Sequence, residues 1–302
     1  MQLGMIGLGR MGANMTERLV RGGHDVVGYD LSAEAVDRVV GIGASGAESL
    51  EELVARLDTP RAVWIMVPHG DPVDQTITGL EPHLSAGDTV IDGGNTFYKD
   101  TMRRAAERTA AGHHLVDVGT SGGIWGLAEG YSMMIGGDPE PVERLRPIFE
   151  TLAPSPTTGW GRVGPSGSGH FVKMIHNGIE YGMMQSFAEG FGVMRAKQEF
   201  DLDLADIGEI WREGSVVRSW LLDLTVRALA ENPELDGIAP YVPDSGEGRW
   251  AVVEAIDLNV AAPVISLSLL QRIGSRDEVG FVDRLLSAMR GQFGGHAVKT
   301  EG

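Results

Sequence analysis

The sequence contains no cysteine. Disulfides, zinc–thiolate sites and thiol nucleophiles are therefore excluded, and a cytoplasmic enzyme is the natural expectation. Nowhere is there an uninterrupted apolar run of the roughly 18 residues a membrane helix needs. Met1 leads straight into a strand-like segment, without the basic stretch, apolar stretch and small-residue site of a secretory signal, so no such signal is expected. Bases are scarce beside acids: 25 Lys and Arg against 42 Asp and Glu leave a net charge of −17. That field repels nucleic acid and anionic lipid at long range, so neither nucleic acid nor membrane is an expected partner. Internal repeats are absent, and there is no low-complexity segment beyond the glycine enrichment. No spacing of histidines and acids suggests a metal site; His113 and His114 read as a loop-edge pair.

What is present suffices for two domains: 302 residues, 42% of them hydrophobic. In the first half, strand signals at residues 2–6, 25–29, 62–67, 89–92, 115–118 and 131–135 alternate with helical periodicity, as at 10–21, 49–57, 100–111 and 139–152. Alternation of this kind indicates βαβ units around a parallel sheet. The glycine-dense stretch 159–169 reads as a loop. Beyond it helix patterns dominate, at 168–198, 204–212, 219–231, 247–259, 264–273 and 277–289. The expected fold is an α/β Rossmann domain, its sheet mostly parallel and doubly wound, over residues 1–162. An all-α domain for substrate binding and oligomerisation follows over residues 163–302. Residues 199–257 hold 14 acids and 4 bases, which read as solvated helix faces. An anionic ligand would then depend on a few local bases.

Gly7-Leu8-Gly9-Arg10-Met11-Gly12 matches G-x-G-x-x-G. With 43 glycines in the chain the hexapeptide alone is weak, but here it follows a strand and opens a helix, as a dinucleotide turn must. The first glycine permits the turn, the second lets the backbone approach a pyrophosphate, and the third lets helix and strand pack closely. Asp30, at the end of the second strand, stands where an acid binds adenosine ribose hydroxyls. It would repel the extra phosphate of NADP, and no arginine follows it, so NAD is the expected cofactor and NADP is disfavoured.

The most informative segment runs from Gly167 to Tyr181. At about 100° per residue, Lys173, His176, Asn177, Glu180 and Tyr181 share one helix face. An ordinary solvated Lys–Glu face would be richer in Lys, Glu and Gln. Gly178 and Gly182 each cost about 1 kcal/mol relative to alanine, so close approach by another element is expected there.

Lys-Met-Ile-His-Asn-Gly-Ile-Glu-Tyr-Gly closely resembles the catalytic helix of the decarboxylating 6-phosphogluconate dehydrogenases, and the resemblance extends over nearly the whole chain. Ile91-Asp92-Gly93-Gly94-Asn95 is similar to that family's Asp-Gly-Gly-Asn motif, whose asparagine meets both cofactor and substrate. Gly119-Thr120-Ser121-Gly122-Gly123 resembles its substrate loop. Asp244 to Trp250 resembles its substrate-binding turn, with Arg249 where many members have lysine. Arg272 matches a phosphate-binding arginine. Arg290 with Phe293-Gly294-Gly295-His296 resembles the tail that reaches a neighbouring subunit. The chain is short for the family, whose long branch carries over 150 more helical-domain residues. Tyr29-Asp30-Leu31 and Met66-Val67-Pro68 also depart from the NADP-using long branch, in the direction of NAD.

The resemblance implies a small anionic sugar-acid phosphate as substrate and a homodimer or homotetramer. It further implies that Lys173 takes the proton of the C3 hydroxyl as hydride leaves C3, and must arrive neutral to do so. Carbon dioxide is then lost from the β-keto acid while protonated Lys173 holds the developing oxyanion. Glu180 delivers a proton to C1, arriving protonated as enclosed sites favour. His176, Asn177 and Asn95 would hold substrate oxygens, and Ser121, Gly122 and Gly123 the carboxylate. Tyr181, Arg249, Arg272, Arg290 and His296 would hold the phosphate end. Val67 and Asn95 would join the glycine turn and Asp30 around the cofactor. A 3-hydroxyisobutyrate-type dehydrogenase would share Lys173 but not the whole helix face or the arginines. A non-catalytic NAD-binding sensor would have no need of both Lys173 and Glu180.

Overall fold

The computed structural model describes residues 1–277 and 279–294. The chain divides into two compact units, Met1–His176 and Asn177–Gly302.

The first unit is built on eight strands: β1 (Gln2–Ile6), β2 (Asp25–Tyr29), β3 (Ser45–Gly46), β4 (Ala62–Ile65), β5 (Thr89–Asp92), β6 (His114–Ser121), β7 (Ser132–Gly136) and β8 (Trp160–Gly164). They form one sheet in the order β3-β2-β1-β4-β5-β6-β7-β8. All neighbours are parallel except β6 and β7. Helices α1 (Arg10–Arg21), α2 (Ala33–Val40), α3 (Leu50–Ala55), α4 (Asp71–Leu80), α5 (Tyr98–Ala110), α6 (Gly126–Glu129), α7 (Pro139–Arg144) and α8 (Arg146–Leu152) connect the strands.

Alternation along each strand sends side chains to two separate cores. Leu3, Met5 and Trp64 join Leu19 and Phe149 on one face. Ile6, Val63 and Ile65 join Leu53 and Leu80 on the other. All but Ile6, 3% exposed, are fully buried, and each such side chain contributes about 1.5–3 kcal/mol of transfer free energy. A sheet covered on both faces offers a ligand only its strand ends. The order reverses between β1 and β4, which opens a crevice at their carboxyl ends.

Two local readings of the sequence are corrected. Residues 160–164 are not loop but the edge strand β8, paired with β7. An edge strand needs only backbone pairing on one side, so its glycines are tolerated there. Trp160 anchors it, with its ring 5.7 Å from that of Phe149. Residues 139–152 form two helices that meet at Leu145, because Pro147 has no N–H to continue the first.

Helix α9 (Ser168–Ala196) runs for 29 residues, and the boundary between the units falls within it. The second unit continues through α10 (Leu204–Arg212), α11 (Trp220–Glu231), α12 (Glu247–Asp257), α13 (Pro263–Gly274) and α14 (Phe281–Gly294). Helix α14 starts four residues later than the sequence pattern suggested, after Gly280 with φ +60°. Phe191, Leu222, Val226 and Leu229 form a small core. Among the described residues no helix is long and apolar enough to cross a membrane.

Candidate active site

The glycine turn leaves the carboxyl end of β1. Gly7 has φ +90°, and a Cβ there would stand 2.4 Å from the Met66 carbonyl oxygen. A Cβ on Gly12 would meet the Gly7 oxygen at 1.9 Å. Gly9 differs, because nothing lies within 4 Å of the Cβ it lacks. The chain's own packing does not demand that glycine; close approach of a ligand to the backbone would. Gly9 also begins α1 with no side-chain cap, so the first N–H groups of that helix suit a bound anion. A cavity of about 300 Å³ adjoins the turn, lined among others by Gly9, Arg10, Asn14 and Arg38. These residues fit a dinucleotide.

Leu8, between the first two glycines, is held at both of its backbone groups. Its N–H donates to Asp30 Oδ2 at 2.6 Å, and its carbonyl accepts from the Arg38 guanidinium. Asp30 Oδ1 accepts the Ser32 N–H at 2.9 Å. Val67 follows β4, and its carbonyl would lie 3.0 Å from a Cβ on Gly94.

Asn95 is half-buried in the turn after β5. Asp92, fully buried, shapes that turn: Oδ1 accepts the Gly94 N–H at 3.2 Å and the Thr96 hydroxyl at 3.1 Å. Behind it Arg104, 1% exposed, sits 3.6 Å from Oδ2 and also binds Asp74. Hydrogen bonds from Arg104 and Arg103 hold the Asp74 carboxyl down at about 2. Ser121 ends β6, and Gly122 and Gly123 follow with φ 137° and 51°.

Helix α9 is fixed at its start by a residue far away in sequence. Asp117 of β6, fully buried, accepts the Gly167 N–H at 2.7 Å on one oxygen and the His170 N–H at 2.9 Å on the other. The Thr101 hydroxyl lies 2.7 Å from His170 Nδ1. A Cβ on Gly119 would be 2.4 Å from Lys173 Cβ. Lys173 is thus rooted directly on β6, the strand that ends in Ser121.

Further along α9, Asn177 Nδ2 donates to buried Glu247 Oε1 at 2.6 Å. Gly178 and Gly182 receive α12 and α13: a Cβ on Gly178 would stand 3.2 Å from Ala251 Cβ, and one on Gly182 3.2 Å from Val264. Tyr181, 5% exposed, packs on Gly248, and its hydroxyl accepts the Ser245 N–H at 3.4 Å. The Arg272 guanidinium lies 3.5 Å over the Tyr181 ring and donates to the Pro243 carbonyl at 3.1 Å. Arg249 pairs with Asp244 at 3.0 and 3.1 Å, and its guanidinium lowers that carboxyl's pKa. His176 and Glu180 are half-buried on the same helix. Arg290 lies on α14 with its side chain outside the described set, and His296 is outside the described residues.

Sequence patterns did not point to Asp117, Arg38, Arg104 or Arg276, the last of which also binds Asp244. Each acts across a long sequence separation, and none belongs to a motif.

A glycine turn that opens a helix on a Rossmann sheet, followed by a helical unit that begins inside a Lys- and Glu-bearing helix, defines a two-domain dinucleotide-dependent dehydrogenase. Residues 2–161 match the family described as the NAD binding domain of 6-phosphogluconate dehydrogenase, and residues 169–282 match the 6-phosphogluconate dehydrogenase C-terminal domain. The chain belongs to the 6-phosphogluconate dehydrogenase family. It is 44% identical over 299 residues to an NAD(+)-dependent, decarboxylating 6-phosphogluconate dehydrogenase of Haloferax volcanii, with 99% of this chain and 98% of that protein covered. YqeC of Bacillus subtilis, which carries a provisional 6-phosphogluconate dehydrogenase name, is 45% identical over 301 residues, with both chains covered in full. A Plasmodium falciparum 6-phosphogluconate dehydrogenase, solved in its apo form, with NADP+ and with 6-phosphogluconate, superposes with a TM-score of 0.85 at 28% identity. That comparison covers 100% of this chain and 66% of the other.

Proposed function

We propose that this enzyme oxidises and decarboxylates 6-phosphogluconate to ribulose 5-phosphate and carbon dioxide, with NAD as hydride acceptor. The observation that carries the reading is the seating of Lys173 against Gly119 on β6, beside the strand that leads to Asn95. A base on that root sits among the loops that would hold a sugar acid.

Bound NAD supplies the site where hydride from C3 is accepted. Gly7, Leu8, Gly9, Arg10, Met11 and Gly12 would hold its pyrophosphate, Asp30 its ribose hydroxyls, and Val67 and Asn95 would join them around it. Lys173 takes the C3 hydroxyl proton, then stabilises the oxyanion that forms as carbon dioxide leaves. Glu180 protonates C1. Asn95, Ser121, Gly122, Gly123, His176 and Asn177 orient the acid end and its hydroxyls. Tyr181, Arg249, Arg272, Arg290 and His296 take the phosphate. In this reading residues 1–162 bind cofactor, and residues 163–302 bind substrate and join subunits of a cytoplasmic homodimer or homotetramer. Exposed apolar side chains of the second unit, such as Ile256, Val260, Leu267 and Leu270, all more than half exposed, support the subunit contact.

The decisive assay supplies NAD with 6-phosphogluconate and follows NADH and carbon dioxide together. Equal yields of both are expected. NADH without carbon dioxide would indicate a 3-hydroxyisobutyrate-type enzyme, and neither product a sensor. Repeating the assay with NADP measures the cofactor preference, and light scattering on the purified protein counts subunits.

A further inference from the structure

Asp244 carries two guanidiniums on one carboxylate. Arg249 spans both oxygens, and Arg276 Nη2 reaches Oδ2 at 2.9 Å. The Asp244 side chain is 4% exposed, that of Arg276 24% and that of Arg249 49%. One helical turn before Arg276 on the same stretch of chain, Arg272 stacks on Tyr181 and donates to the carbonyl of Pro243, the residue before Asp244. Ser275, between the two arginines, accepts the Val242 N–H at 3.0 Å and so fastens the turn to the end of α13. Tyr181 and Arg249 are close enough to interact electrostatically. All of these groups belong to the second unit.

The three guanidiniums and one carboxylate leave a surplus of two positive charges, although the chain as a whole carries −17. A phosphate monoester brings about −1.5 to −2 at neutral pH. With Arg249 and Arg272 alone, Asp244 would reduce the surplus to one. A guanidinium has five N–H donors in a fixed fork, and the Asp244 contact uses one of those on Arg276.

We propose that Arg276 is a third phosphate-reading arginine of this site, held in position by Asp244, which sets the spacing between Arg249 and Arg276 before the ligand arrives. This rests on the proposed function, which places the substrate phosphate at Arg249 and Arg272. Asp244 neutralises neither partner fully. It trades part of the field for orientation, so that the phosphate meets forks already aimed rather than long side chains in motion.

The test is Arg276→Met, which keeps the stem and removes the charge, with Arg276→Lys beside it. A hydrogen bond to a charged group lost from binding corresponds to about a 10- to 100-fold change. The expected result is a rise of that order in KM for 6-phosphogluconate, with kcat and the KM for NAD held within about twofold. Inorganic phosphate, used as a competitive probe, should bind more weakly by a similar factor, and Arg276→Lys should recover part of both. Unchanged phosphate binding, or an equal loss in KM for NAD and in kcat, would overturn the inference. If the wild-type enzyme does not turn over 6-phosphogluconate, the functional reading fails. Calorimetric binding of inorganic phosphate to wild type and Arg276→Met then still decides whether Arg276 reads phosphate.

Discussion

The Leu8 N–H donates to Asp30 Oδ2 at 2.6 Å, so the carboxylate proposed to read the ribose also holds the glycine turn. Arg38 takes the Leu8 carbonyl, so both backbone groups of Leu8 are held. On that proposal, cofactor choice and loop shape share one side chain. Asp30→Ala is expected to loosen the turn for both cofactors, to remove the ribose contact from NAD alone and to relieve repulsion of NADP. The ratio of kcat/KM for NAD to that for NADP should fall by about tenfold or more, the scale of one charge-assisted contact. Steady-state kinetics with both cofactors check this, and an equal loss for the two would speak against ribose reading by Asp30.

Gly119 is expected to be indispensable for turnover. A methyl group there would overlap Lys173 Cβ, at 2.4 Å, and the Gly169 carbonyl oxygen, at 2.7 Å. The proposed base, Lys173, would have to shift by about 1 Å, a displacement that can cost about 100-fold in rate. Gly119→Ala should lower kcat on that scale while NADH binding, read by fluorescence, changes little.

Asp117 is expected to anchor α9. Asp117→Ala strips acceptors from the N–H groups of Gly167 and His170, and each buried donor left unsatisfied costs about 1–3 kcal/mol. The urea midpoint should fall, and kcat with it, because Lys173 rides on that helix. Asp117→Asn, which keeps one acceptor, should lose less of both.

The parts of this molecule that were legible in the sequence are the periodic ones. β1, α1 and β2 followed from alternation and the glycine turn, because parallel strands buried on both faces leave apolar runs and helices leave a 3.6-residue rhythm. Gly178 and Gly182 announced a close approach within a helix, but not that α12 and α13 make it. The glycines of β8 suit a loop in sequence and hide a strand whose pairing is all backbone. Asp117 could not have been found, since a carboxylate that caps a helix 50 residues away leaves no local pattern. Arg276 stands outside every motif for the same reason.

Asp74 gives a pH test of the scaffold behind Asn95. Bonded first to Arg104 and then to Arg103, its carboxyl titrates at about 2 instead of 3.8. A lowered carboxyl stabilises the folded state above the unfolded value, and that contribution is lost as pH falls from about 4 toward 2. Wild type should therefore be more stable than Asp74→Asn at pH 7, and the gap should narrow through that acid range. Chemical denaturation at pH 7, 5 and 3 measures it. A gap independent of pH would mean that the charge of Asp74 contributes nothing.

The sheet order also acts as a ruler. Gly9, Val67, Asn95 and Ser121 leave from the carboxyl ends of β1, β4, β5 and β6, four consecutive parallel neighbours. Strands lie about 4.8 Å apart, so the first and last of these loops are separated by roughly 14 Å across the sheet. No compact molecule touches both ends. In the proposed function the dinucleotide crosses the two intervals from Gly9 to Asn95 and the sugar acid the third to Ser121, so half-molecules such as AMP or nicotinamide mononucleotide should each settle on one part of that span and leave the rest open.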